Sequence, residues 1–174
     1  MFLIMRYIAK LLKALASEAS PGQIAGGITL GMIIGLTPLS SLHNLLIVVL
    51  ILVLKVNIGM ALLSFTIFSG IAYLADPLFH SFGVWLLELE SMQETWTSMY
   101  NNEWIALTEF YNTVVIGSLA TAIILCIPMF PLAKYGVLQY RKHIHEKMMK
   151  WKVVKAFKGT KLYSIYETVS RVRG

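Results

Sequence analysis

The sequence predicts an all-α integral membrane protein: a proline-broken, re-entrant helical hairpin plus transmembrane helices, with amphipathic N- and C-terminal helices. Three observations predict it. The 174 residues are 57% hydrophobic and only 14% charged, with a mean hydropathy of +0.68, whereas soluble domains run at about 45–50% apolar and about 25% charged. An apolar run from Gly22 to Leu54 is interrupted near its middle by Thr37-Pro38-Leu39-Ser40-Ser41. Charge is segregated: Lys and Arg cluster in residues 1–20 and 134–174, with only Lys55 between, while the stretch from Trp85 to Asn112 holds Glu88, Glu90, Glu94, Glu103 and Glu109 and no Lys or Arg. Positive charge stays on the cytoplasmic side, so both termini and Lys55 are assigned to the cytoplasm and the number of crossings is even. One compact membrane domain is expected, without a separate soluble catalytic domain.

Residues 1–20 place Arg6, Lys10 and Lys13 on a narrow stripe beside a wide apolar arc. The lysines interrupt the unbroken apolar stretch that a secretory signal requires, so this segment is expected to lie as a helix on the cytoplasmic leaflet. The membrane domain, 21–133, begins with a broken hairpin at 22–54. As one helix that run would be about 50 Å long against a hydrocarbon core of about 30 Å. Pro38 lacks an N–H and clashes with the preceding turn, which predicts two short helices joined at a polar tip. Each half has only about fifteen residues against the roughly 20 of a full span, which favours a re-entrant dip over two crossings. Gly27, Gly31 and Gly35 recur every fourth residue and line one face, where another helix backbone can come close.

A second broken element, 58–90, echoes the hairpin in sequence: Gly31 and Gly70 each precede a proline, Pro38 and Pro77, by the same interval, and His43 and His80 follow. If the echo extends to structure, two broken helices build a polar site inside the bilayer. Residues 91–112 form an outer amphipathic segment with Trp96, Tyr100, Phe110 and Tyr111 on one side, suited to headgroup level. Residues 113–133 are the clearest single span. The tail, 134–174, is a basic amphipathic helix in which Arg141, Lys142, Lys147, Lys150, Lys152 and Lys155 would bind anionic lipid headgroups. The same interleaving of charge with apolar side chains beside a span argues against nucleic acid.

Asp76 is the most informative polar residue, since a carboxylate in an apolar run marks a functional site by default; it could equally cap a helix beginning at Pro77. His43 and His80 could pair with it in a proton relay. Ser40 or Ser41 beside His43 lacks the orienting group and oxyanion hole of a serine hydrolase, so no catalytic residue is assigned. Two isolated histidines with one Asp lack a metal-ligand spacing, no phosphate-cradling glycine motif occurs, and no cofactor is expected. Cys126 reads as a small buried hydrophobe.

The run Gly31-Met32-Ile33-Ile34-Gly35-Leu36-Thr37-Pro38, then Asn57, then Asp76-Pro77, resembles a bacterial membrane family called domain of unknown function 2062, and within it a short stand-alone subfamily of Gram-negative bacteria. The resemblance covers roughly residues 20–90. The chain departs from the usual pattern with Asp-Pro for a closing Asn-Pro, and with Ser40-Ser41 where a glycine is common. The resemblance implies an inner-membrane protein with polar tip residues at Thr37, Pro38, Asn57, Asp76 and Pro77, and a larger envelope protein as partner. It implies no reaction.

The expectation is therefore a non-enzymatic, multi-pass inner-membrane subunit of a cell-envelope assembly that handles lipid with a larger partner. Its contacts with substrate or partner are assigned to Gly27, Gly31, Gly35, Thr37, Pro38, Ser40, Ser41, His43, Asn57, Asp76, Pro77 and His80. The glycine face would dock a partner's helix, or the hairpin would admit a lipid between itself and a span. Two alternatives are a small proton-coupled secondary transporter and a purely structural membrane scaffold. A homo-oligomer that completes one site from two tips is a further arrangement.

Overall fold

The structure, a computed structural model, describes residues 19–144. The N-terminal interfacial helix expected before Ala19, and the lipid-binding lysines Lys147, Lys150, Lys152 and Lys155, lie outside the described residues. The described chain is all-helical, without strands. It divides at 137/138 into two compact units. The first carries the candidate site; the described part of the second completes the last long helix and adds a π turn, Tyr140–Ile144, which holds Arg141 and Lys142.

Helix α1, Pro21–Leu36, starts at a capping box. The Ser20 hydroxyl accepts the Gln23 N–H at 3.2 Å and Gln23 Oε1 accepts the Ser20 N–H at 2.8 Å, while Pro21 occupies the first turn, where no N–H is needed. Pro38 ends it by forcing Thr37 into extended backbone (φ −98°, ψ 153°). After the tip, α2 (Leu42–Val53) returns. Lys55, in the left-handed region at φ 50°, turns the chain into α3, Ile58–Leu87. Asn57 joins two helices there: its Oδ1 caps α3 by accepting Met60 N–H at 2.9 Å, and its own N–H donates to the Gln23 carbonyl of α1 at 3.0 Å.

A 3₁₀ turn at Glu90–Met92, α4 (Gln93–Tyr100) and α5 (Glu103–Ala106) follow, and α6 runs Thr113–Gln139. The amphipathic segment at 91–112 is thus several short turns instead of one helix. Asn102 and Asn112 cap new helices with their side-chain oxygens, and the aromatic side chains meet across the folds, Trp96 against Phe110 and Tyr100 against Tyr111. The Trp96 indole N–H donates to the Leu86 carbonyl at 3.2 Å, holding the segment to the end of α3.

Helix α1 is the core. Ile24, Ala25 and Met32 are wholly buried. Met32, Ile33 and Leu36 pack with Phe79 of α3 and Ala122 of α6, and Ile24 packs with Met60, Leu63 and Val137. The order of these contacts makes α1 and α3 parallel, with α6 antiparallel to both. The outward faces of α2, α3 and α6 are apolar and exposed, among them Leu46, Leu52, Leu62, Leu74, Ile127 and Leu132. By length and apolarity, α3 and α6 are each able to cross a membrane, while α1 and α2 are shorter apolar helices.

The expected second broken element does not form. Helix α3 continues for 30 residues through Pro77. Thr37 before Pro38 is extended and bonded into a folded tip, whereas Pro77 lies on the exposed side of a helix held on its next turn by buried Phe79 and Gly83. That packing keeps the backbone helical despite the lost N–H. Gly70, the counterpart of Gly31 in the echo, has nothing within 4 Å of an added Cβ. The resemblance between the two segments ends at the sequence.

Candidate functional site

The glycine spacing meets its partner inside the chain. A Cβ on Gly27 would strike the Asn57 carbonyl, and one on Gly31 the Ala61 carbonyl; on Gly35 it would come within 2.8 Å of the Phe65 oxygen and Phe68 Cβ. Backbone lies against backbone along this seam, and Ser64 Oγ donates across it to the Ile28 carbonyl at 2.7 Å. The expected docking of a partner's helix on the Gly27–Gly31–Gly35 face is therefore corrected, because α3 of the same chain already fills it.

The hairpin tip is a small polar network. The Thr37 hydroxyl has two acceptors in reach, the Ile33 carbonyl at 2.9 Å and Asn44 Oδ1 at 3.0 Å, and Asn44 Nδ2 donates to the Pro38 carbonyl at 2.8 Å. Thr37, Ser41 and Asn44 are buried; Leu39 and Ser40 project outward. Ser41 Oγ and His43 Nε2 are buried with no hydrogen-bond partner, so the serine and histidine do not form a nucleophile–base pair.

Asp76 and His80 lie on α3, and no hydrogen bond joins them to each other or to His43 among the described residues, so no relay forms. Asp76 is exposed within α3, so it caps no helix start, and its carboxylate has no partner among the described residues. His80 Nδ1 lies 2.7 Å from Thr113 Oγ1 instead, tying α3 to α6. Just beyond it the two helices cross at a second glycine contact: a Cβ on Gly83 would strike the Thr113 carbonyl, and one on Gly117 the Phe79 carbonyl.

Sequence reasoning missed four of these residues in their roles. Asn44 carried a legible signal, an amide inside a Leu/Ile/Val run that must be satisfied when buried. Thr29 carried the same signal: it is only 3% exposed and its hydroxyl has no partner. Gly83 and Gly117 gave no periodic signal, since neither has another glycine three or four residues away on its helix.

The comparison with known families matches residues 5–146 to a family described as an uncharacterized protein conserved in bacteria, DUF2062. The chain belongs to the DUF2062 family. An uncharacterized protein of Treponema pallidum (strain Nichols) is 28% identical over 145 residues, covering 83% of this chain and 90% of that one. No solved structure matches. Among the described residues of this DUF2062 chain, features open to a ligand or partner include the projecting tip at Leu39-Ser40, the exposed Asp76, and the groove lined by Thr29.

Proposed function

We propose that this DUF2062 protein is a multi-pass protein of the bacterial inner membrane, with both termini cytoplasmic, that acts without catalysis as a lipid-handling subunit of a cell-envelope assembly alongside a larger partner. The observation that carries this reading is the outward apolar surface of α2, α3 and α6 around a buried, glycine-packed α1. In water such a surface would drive aggregation; in a bilayer it faces its own solvent. Helix α3, at about 45 Å, exceeds the hydrocarbon core of about 30 Å, whereas α1 and α2 at about 24 and 18 Å fall short of it. Two crossings with a re-entrant α1–α2 hairpin agree with these lengths and with the charge bias.

Depth supports a partner. Gly35 lies against Ser69, eleven residues into α3 and so about 17 Å along it, near the middle of the core when Ile58 starts at the cytoplasmic boundary. Non-helical backbone at that depth requires cover by protein or a cavity, yet Leu39 and Ser40 project from it. Purification in mild detergent tests the proposal: a larger envelope protein is expected to accompany the chain, and deletion to alter outer-membrane lipid. A clean monomer together with unchanged lipid would refute it.

The unpaired Asp76 favours a second reading, a proton-coupled carrier. Eighteen residues past Ile58, however, Asp76 lies about 27 Å along α3, close to the far boundary instead of the middle. A carrier predicts that Asp76→Asn abolishes substrate-driven proton flux in liposomes; the subunit reading predicts no loss of partner binding in that variant.

A further inference from the structure

Between the hairpin and the last helix the surface opens into a groove of about 470 Å³, with Gly22, Gly26 and Thr29 of α1 on one side, Leu54 below α2, and Cys126 and Phe130 of α6 on the other. Its volume is in the range of about 300–1,000 Å³ typical of small-molecule sites. From Ser20 to Leu30, both of which line it, it follows α1 for about 15 Å, half of a hydrocarbon core of about 30 Å and so the depth of one leaflet. The end at Ser20 and Gln23 is polar; the rest is apolar apart from Thr29. Leu54 and Phe130 are 57% and 40% exposed, so the groove opens onto the outward apolar surface.

The Thr29 hydroxyl distinguishes this groove from a packing gap. A threonine within a helix ordinarily bonds a carbonyl of the preceding turn, as Thr37, Thr66 and Thr121 do here. Thr29 is 3% exposed, lines the groove, and its Oγ1 bonds nothing. A buried hydroxyl without an acceptor costs about 1–3 kcal/mol, and no protein acceptor is in reach. An apolar ligand carrying a carbonyl would supply one.

We infer that this groove holds the ester-linked glycerol backbone of a diacyl glycerolipid, with an ester carbonyl accepting from Thr29, the headgroup toward the Ser20–Gln23 end, and the acyl chains leaving past exposed Leu54 and Phe130 onto the outward apolar surface. The inference rests on the lipid-handling reading and gives it a binding site and a ligand class. A free fatty acid offers a similar chain but carries its only carbonyl within a charged carboxylate, and no cation is among the described residues that line the groove.

Cys126 is the only cysteine of the chain, so its alkylation by an apolar maleimide reports on the groove in the purified full-length protein. Adding dioleoyl phosphatidylglycerol to the detergent solution is expected to slow labelling about tenfold at roughly nine-tenths occupancy. Thr29→Val should raise the lipid concentration for half-protection about fivefold, the worth of one hydrogen bond. Gly22→Leu places a side chain at the groove mouth, where an added Cβ meets only Ser20 Oγ at 3.9 Å. It should abolish protection while circular dichroism shows unchanged helicity. A labelling rate indifferent to the lipid, or protection by oleate without protection by the diacyl lipid, would overturn the assignment. Because this assay reads the isolated protein, an empty groove is distinguishable from the absence of any envelope-lipid phenotype, which would strike the proposed function itself.

Discussion

Asn44 closes the hairpin through a donor and an acceptor used at once, toward the Pro38 carbonyl and the Thr37 hydroxyl. Asn44→Ala removes both and leaves the Pro38 carbonyl without its side-chain partner. The expected loss is about 1–3 kcal/mol, read as a lower unfolding midpoint in detergent; an unchanged midpoint would show that the network does not hold the tip. The glycines offer a matched comparison. Gly31→Ala drives a methyl into the Ala61 carbonyl, whereas Gly70→Ala enters open space. The first should destabilise by about 1–3 kcal/mol, as overpacking does, and the second should not. The i+4 spacing made the α1 seam legible in sequence because periodicity survives in one dimension. Asn44 was legible as polar but not as a keystone, since its partner is a carbonyl six residues back that comes within reach only after the turn has formed.

At the scale of elements, two prolines with matching sequence surroundings behave differently. Pro38 ends α1 because the residue before it becomes extended and the tip supplies new partners for the freed backbone. Pro77 is carried inside α3 by the packing of Phe79 and Gly83 against α6. Its ring therefore costs helix stability without shaping the chain. Pro77→Ala is expected to stabilise by up to about 3 kcal/mol, with unchanged helix content, whereas a fall in the unfolding midpoint would mean that a break there is required. Local sequence could not separate the two cases, because the difference lies in α6, some forty residues downstream. The Gly83 and Gly117 that make that contact have no spacing to advertise it. The outer segment was legible as amphipathic, but its division into short turns depends on Asn102 and Asn112 acting as caps.

For the whole molecule, composition already foretold an all-helical chain with apolar helices able to cross a membrane, while the choice between two and four crossings stayed open; the described residues are all-helical and hold two helices of that length and apolarity. Pairing was not legible: that α1 runs parallel to α3, buried by α3 on its glycine face and by α6 on another, follows from contacts between residues far apart in sequence. This arrangement dismantles the single polar site imagined at two proline tips and leaves three separate features, the tip, Asp76 and the groove. In the proposed arrangement α1 and α2 enter the membrane and return, with the tip near its middle. Reactivity of Ser40→Cys in a Cys126→Ser background, toward a membrane-impermeant maleimide applied from each side of native membranes, decides it. Lys55→Cys should react from the cytoplasmic side and Asn101→Cys from the opposite side, while Ser40→Cys reacts from neither. Labelling of Ser40→Cys from the side that labels Asn101→Cys would mean that both halves of the hairpin cross fully, and would contradict the re-entrant account.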